Sequence, residues 1–403
     1  HQDLYSTLYS DGAPAWATLT GGAEHIHLGG VWSDAYFTSP AVQAALDAFW
    51  RNAPAPDGIG LQDHYAACWQ ALARRYTHEP AVIGYDLMNE PFPGSAAVPS
   101  QGLLFARGAE LLAQIDPSQA CAPEELAAQW LDPLRRCQIL ALLEDPRQFA
   151  GVIDVTQPIY AEFESEQLMP FYRRVADAIR AVDPGRALFL ETSMGSNMGV
   201  YSAVRPLCGV DGDLLAPQVY APHGYDLVVD TPGLAGASSA RVELIFRRHG
   251  ETARRLGLPM LVGEWGAFDA AVPGTLPAAW SVSRLFEDLL CGDTYWHYAS
   301  DLNRLPPFQA ISRPYPERVA GRLISYRYDP DEACFECAWE EDPAVTAPSV
   351  FYLPAWFYDP RTGQILGFPC AAGGQGLWLS VPPERPGASK PIPRSLRIHA
   401  KPA

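Results

Sequence analysis

Residues Ala81–Pro91 read Ala-Val-Ile-Gly-Tyr-Asp-Leu-Met-Asn-Glu-Pro, a short apolar run that closes on Glu90. Residues Leu258–Trp265 read Leu-Pro-Met-Leu-Val-Gly-Glu-Trp, a second such run that closes on Glu264. A short apolar run bounded by Pro or Gly fits a strand buried on both faces, as in a parallel sheet. In a parallel β/α barrel the chemistry sits at the C-terminal ends of the strands. A carboxylate that ends such a run is therefore aimed into the active site.

Outward from these two runs the pattern repeats. Strand candidates at 82–89, 187–191, 214–220, 259–264 and 293–298 alternate with amphipathic stretches near 41–51, 62–76, 166–182, 239–256 and 280–290, where apolar residues recur three and four apart. That alternation predicts a parallel sheet with crossover helices, an α/β fold. Closing a TIM barrel takes eight strands, and the chain supplies five plus whatever ends at His1. The expectation is a (β/α)8 barrel, N-terminally truncated, with the first two strands and most of the third missing. Residues 1–311 are read as this catalytic barrel. From residue 312 the pattern changes: Arg313-Pro-Tyr-Pro316 reads as a linker, and Leu323–Tyr328, Ala333–Glu340, Val350–Ala355 and Gly376–Val381 read as strands between Asp-Pro and Gly-rich turns. Residues 312–403 are therefore expected to form a small C-terminal β-sandwich.

The stretch between the two glutamates far exceeds the roughly 90 residues that three units of a barrel of about 250 residues occupy. Most of the surplus falls at about 93–159, where helical segments near 101–115 and 123–144 have no place in the minimal repeat. This insertion is a candidate lid or substrate platform, or else a helical subdomain packed on the rim.

With 403 residues, 48% hydrophobic and 19% charged, the chain can bury one large core and a smaller second one. It has no run of 18 or more apolar residues, so no spanning helix is expected. Twenty-nine basic against 46 acidic residues give a net charge of −17, which disfavours nucleic acid and anionic membrane surfaces as long-range partners. The cysteines number eight. Cys334-Phe-Glu-Cys337 is a C-x-x-C without a second pair at zinc spacing, in strand-like sequence, so metal or redox chemistry is not expected there. Cys121 and Cys137 flank a helical stretch and are candidates for a bridge in an oxidising compartment. Such chemistry is compatible with secretion, and the compartment stays open.

Two strand-end carboxylates match the needs of glycoside hydrolysis, in which one group protonates the leaving oxygen and the other attacks the sugar or activates water. Glu264 as nucleophile must stay ionised while Glu90 is held protonated, and repulsion between close carboxylates is one way to separate them. Asn89 can bond the sugar 2-hydroxyl, Gly263 permits close packing, and Trp265 offers an aromatic wall. His223 and Tyr225 follow the third strand candidate; a Tyr hydroxyl there can orient the nucleophile, with Tyr220 an alternative, and His223 can contact substrate or the acid. Trp296 ends the last strand candidate, where an indole can stack on a sugar face. An N-terminal His1 with His25 or His27 could in principle hold copper, but that chemistry needs a β-sandwich host and the body of this chain is β/α. No metal and no cofactor are expected.

The run Tyr85–Pro91, the opening His1-Gln-Asp-Leu-Tyr-Ser6 with Asp11-Gly-Ala-Pro-Ala-Trp16, the segment Pro217–Tyr225, Gly263-Glu-Trp265 and Trp296 together resemble glycoside hydrolase family 5, in its endoglycoceramidase and glycosylceramidase branch. The resemblance covers most of residues 1–310 and implies a C-terminal sandwich. It implies Glu90 as acid/base, Glu264 as nucleophile, and His1, Asp3, Asn89, His223, Tyr225 and Trp296 around the sugar. It further implies a retaining mechanism through a glycosyl-enzyme, acting on glycolipids, and a membrane-borne substrate would call for transient contact with a membrane surface. The family's early-strand Arg beside the nucleophile has no counterpart here, so the longer parent protein is the expected active species. A monomer is expected. The alternatives are a family 5 enzyme on soluble glucans or steryl glucosides, and a noncatalytic carbohydrate-binding protein. A serine hydrolase is disfavoured because no G-x-S-x-G elbow occurs.

Overall fold

The computed structural model describes residues 12–26, 33–209, 211–229, 233–268, 272, 274–384 and 389–401. His1 and Asp3 lie outside the described residues. The chain divides into two compact units, His1–Ala267 with Asp293–His297, and Phe268–Gly292 with Tyr298–Ala403.

The first unit is built on parallel strands. β1 (Gly84–Asp86), β2 (Ala187–Leu190) and β3 (Gln218–Tyr220) form one sheet in chain order, β2 in the centre, with Tyr85 opposite Leu188 and Phe189 opposite Val219. β4 (Leu261–Gly266) runs parallel beside β3 through the bridges Tyr220 to Met260 and His223 to Glu264, and β5 (Gly292–Trp296) pairs with β4. All five strand candidates are present, in an order that follows the chain, as the β/α barrel requires. β1 is shorter than expected: its ladder continues only as far as the Leu87 N–H on the Phe189 carbonyl at 3.2 Å, after which the chain turns toward Glu90.

Helices cover this sheet because their apolar residues fall on one face. In Met169–Arg180 the buried residues are Met169, Phe171, Tyr172, Val175, Ala176 and Ile179, a single stripe. Phe171 meets Phe49, Trp50 and Tyr65 edge-on, so helices Pro40–Trp50, Leu61–Tyr76 and Met169–Arg180 share one aromatic cluster. Helix Ser239–Leu256 starts where the Ser238 hydroxyl accepts from the Arg241 N–H and stops at Gly257, whose φ of 65° places it in the left-handed region.

Between β1 and β2 lie helices Val98–Ile115, Pro123–Trp130, Pro133–Leu142 and Pro146–Ile153. The single helical stretch read over 123–144 is broken in two because Asp132 caps a new helix that Pro133 opens. These helices have a core of their own, with Leu112, Leu126, Ile139, Leu140, Phe149 and Ile153, and it extends to Val200 and Val228. Val200 follows β2 and Val228 follows β3, so the inserted helices pack at the C-terminal side of the strands.

The second unit contains helix Thr275–Leu289 and two antiparallel sheets. β7 (Gly321–Asp329), β8 (Cys334–Glu341) and β13 (Ile392–His399) form one, in the order β13-β8-β7. β6 (Tyr315–Arg318), β9 (Ser349–Pro354), β10 (Gln364–Ile365), β11 (Phe368–Gly373) and β12 (Gly376–Val381) form the other, in the order β10-β11-β12-β9-β6. Alternate residues of both, among them Phe335, Trp339, Phe351, Leu353, Leu377 and Leu379, make one shared core, which is a sandwich. Cys334 and Cys337 are buried in β8, and the Cys334 thiol accepts from Arg397 Nε at 3.4 Å. The Cys137 thiol donates within its own helix to the Pro133 carbonyl oxygen at 2.9 Å.

The parallel pairing at β1 leaves no room for a side chain at Gly84, where an added Cβ would stand 2.4 Å from the Ala187 carbonyl oxygen. Gly84→Ala is expected to destabilise the fold by about 1–3 kcal/mol through this wedge. Urea unfolding checks it, and a midpoint unchanged from the parent would contradict the packing described.

Candidate active site

Four of the strands, β1 to β4, deliver four acidic side chains, Asp86, Glu90, Glu191 and Glu264, and one imidazole to a single place. Glu90 stands four residues beyond β1 with φ of 45°, a conformation that L residues seldom adopt. Its own N–H donates to Glu191 Oε2 at 2.7 Å. Glu191 is the residue immediately after β2, and Asn197 ends the short helix Met194–Asn197 that follows. Asn197 Nδ2 donates to Glu90 Oε1 at 3.0 Å, and His223 Nδ1 lies 3.0 Å from the same oxygen.

His223 and Tyr225 come from the segment after β3, which is stitched to β4: the Gly263 N–H bonds the Pro222 carbonyl at 2.9 Å and the Gly224 N–H bonds that of Glu264 at 3.2 Å. Gly263 matters here, because a Cβ on it would fall 2.8 Å from His223 Nε2. His223 Nδ1 is also 3.4 Å from Glu264 Oε2, while its Nε2 is 3.2 Å from Glu191 Oε1. The Tyr225 hydroxyl donates to Glu264 Oε2 at 2.9 Å. His223 and Glu191 are almost fully buried and Glu264 is more open, at 14% side-chain exposure.

The loop that carries Asn197 is pinned from below. Glu164, buried in the π-helical turn Glu164–Leu168, accepts from the Ser193 N–H at 2.9 Å, from the Ser193 and Ser202 hydroxyls at 2.7 and 2.9 Å, and from the Ala203 N–H. Four donors on one carboxylate offset the cost of burying it.

Of the residues singled out in the sequence, Glu90, Glu264, His223 and Tyr225 come together. Asn89 adjoins them, its amide nitrogen buried and without a hydrogen-bond partner among the described residues. Trp296 ends β5 and is 40% exposed, open to a flat ligand. Tyr220 does not reach the site; its hydroxyl lies 2.8 Å from His249 Nδ1 in the interior. Trp265 is not a wall of the site, since strand alternation turns it into the core, where its Nε1 donates to Asp293 Oδ1 at 3.0 Å. Asp86, Glu191 and Asn197 were not singled out. Glu191 carried a readable signal: Ala187-Leu-Phe-Leu-Glu191 is a third apolar run closing on a glutamate.

Burial alone would push the His223 pKa down. The charges and hydrogen bonds of Glu191 and Glu90 reverse this and hold it well above the ordinary histidine value, so the ring is an imidazolium at neutral pH. Asp86 is pushed well above the usual carboxylate range, first by burial and then by the charge of Glu191. Glu264 is raised to about 7, chiefly by burial and further by Glu90 and Glu191, with His223 and the Tyr225 hydroxyl opposing. The sequence reading expected Glu264 to stay ionised. Burial works against that here, with the His223 charge and the Tyr225 hydroxyl on the opposing side.

Glu90, His223 and Glu264 each offer one atom within 4.8 Å of the others, a spacing that a cation could bridge. Both ring nitrogens of His223 face carboxylate oxygens, however, and an imidazolium has no lone pair to give. The donor set suits proton transfer better than metal ligation.

Residues 43–301 match the profile Cellulase (glycosyl hydrolase family 5), and residues 313–374 match the glycoside hydrolase family 5 C-terminal domain. Endoglycoceramidase I of Rhodococcus hoagii (strain 103S) is 23% identical over 381 residues, 91% of this chain and 63% of that protein. The endoglycoceramidase of Hydra vulgaris is 31% identical over 118 residues, 24% of this chain and 22% of that protein. The chain thus spans less than two thirds of the length of these curated relatives. Among solved structures, endo-glycoceramidase II from Rhodococcus sp. in a cellobiose-like imidazole complex superposes with a TM-score of 0.69 at 25% identity, covering all of this chain and 79% of that one. With more than half of its length matched by the family profile, and with strands, sandwich and clustered carboxylates in place, the chain belongs to glycoside hydrolase family 5.

Proposed function

We propose that this chain forms the catalytic part of a retaining β-glycosidase that cleaves glycolipids between glycan and lipid. The observation that carries the reading is the spacing of Glu90 and Glu264, whose facing atoms lie within 4.8 Å. Retaining glycosidases hold their two carboxyl groups about 5–5.5 Å apart, whereas inverting ones need about 6.5–9.5 Å to admit a water. The likeness to endoglycoceramidases supports a lipid aglycone.

In the first step a Glu264 carboxylate oxygen attacks the anomeric carbon as the bond to the aglycone oxygen breaks, and Glu90 gives its proton to that leaving oxygen. In the second step Glu90 takes a proton from water, the water oxygen attacks the anomeric carbon, and Glu264 leaves as a carboxylate. Tyr225 orients the attacking carboxylate, and the His223 cation offsets negative charge as it shifts between the two glutamates. The unpartnered Asn89 amide is placed to donate to the sugar 2-hydroxyl, a bond that strengthens as positive charge develops on the ring. Trp296 gives a stacking face. The inserted helices, at the C-terminal side of the strands, form a platform for the aglycone.

The test offers the protein glucosylceramide, a longer neutral glycosphingolipid, a steryl glucoside and a soluble β-glucan. Release of ceramide is expected, with Glu264→Gln lowering turnover by about 10³-fold or more. Turnover of the glucan alone would remove the lipid substrate, and binding without turnover would leave a carbohydrate-binding protein.

A pH profile checks the state of the nucleophile. Since attack needs ionised Glu264, kcat/KM should fall as pH drops through about 7. Tyr225→Phe removes a donor that favours the charged form, so the acid limb should move upward, by roughly one pH unit. A limb that stays in place in the variant would show that another group controls it.

A further inference from the structure

We propose that Glu191 is a positioning residue, a single carboxylate that fixes the backbone of Glu90 and the imidazole of His223 together and so keeps Glu90 aligned for proton transfer. This rests on the reading of Glu90 as the acid/base. One oxygen of Glu191 accepts the Glu90 N–H at 2.7 Å and the other lies 3.2 Å from His223 Nε2. The first contact stabilises the left-handed backbone at Glu90, which an ordinary residue would not hold unaided. The second makes His223 present its other nitrogen, as a donor, to Glu90 Oε1. Asn197 donates to that same oxygen, so Glu90 Oε2 is the atom left to carry the transferred proton.

The surroundings of Glu191 suit a charge held for this purpose. Asp86 stands behind it, raised well above its ordinary range by burial and by the charge of Glu191. Tyr172 donates to the Glu191 backbone carbonyl at 3.2 Å, and the Tyr65 hydroxyl donates to that of Leu87 at 2.9 Å. Burial pushes the Tyr65 hydroxyl and the Tyr172 hydroxyl well above their ordinary values, so both stay neutral. Glu90, Glu264 and the cationic His223 face it from the other side. Glu191 is 1% exposed, out of reach of a sugar, so it acts through other residues.

The test is Glu191→Gln. A glutamine oxygen can still accept the Glu90 N–H, but its amide meets His223 Nε2 as a donor and leaves the ring neutral. Two glycosides with the same sugar are compared, one with a dinitrophenyl leaving group that departs without protonation and one with an alkyl group that does not. In the variant, kcat/KM for the alkyl glycoside should fall by about tenfold to a hundredfold more than that for the dinitrophenyl glycoside, whose loss reports only the weaker support of Glu264. An equal loss on both, or no loss on either, overturns the proposal. Histidine 15N NMR at pH 7 gives a reading independent of turnover: His223 should carry protons on both nitrogens in the parent and on one in the variant. A ring that is charged in both overturns the proposal too. Failure of the parent to cleave either glycoside would instead count against the glycosidase reading.

Discussion

One buried imidazolium holds this site together. His223 sits within 3.4 Å of oxygens from Glu90, Glu191 and Glu264, which arrive from three separate strands. Three carboxylates brought so close in a low-dielectric interior would repel one another strongly, and a central cation turns that repulsion into cohesion. The arrangement explains why Gly263 faces the ring, why the segment after β3 is bonded along β4, and why Glu90 departs from ordinary backbone geometry. Each is a condition for seating one histidine.

The same cluster sets the chemistry of the two glutamates apart. Glu90 is met by two donors on one oxygen, whereas Glu264 is met by a phenol and shares the imidazolium. Burial then dominates at Glu264.

Much of this was legible in the sequence, for definite reasons. Strands buried on both faces leave short apolar runs, so β1 to β5 could be located, and strand-end carboxylates at Glu90 and Glu264 followed from where such sheets do chemistry. The helix stripes, as in Phe171, Tyr172, Val175 and Ile179, were equally plain. What failed was whatever depends on side-chain direction. Trp265 follows Glu264 by one residue and so points the opposite way, into the core. Sequence favours Tyr225 for the hydroxyl on Glu264 with Tyr220 as the alternative, and only the chain path excludes Tyr220. Glu191 has the same apolar lead-in as Glu90 and Glu264, but glycoside hydrolysis calls for only two carboxylates, so the pattern gives the third no role. Asn197 lies in a loop set by Glu164, a contact across many residues that no local pattern reports.

The inserted helices between β1 and β2 carry their own apolar core and reach the barrel through a few residues, Val200 and Val228 among them, with Arg248 gripping Asp154 at 2.6 Å. A segment that stabilises itself in this way can be reshaped by selection without rebalancing the barrel beneath it. The rim and the charged centre are then separable inheritances: one part of the chain can drift in shape while the carboxylates and their histidine stay as they are.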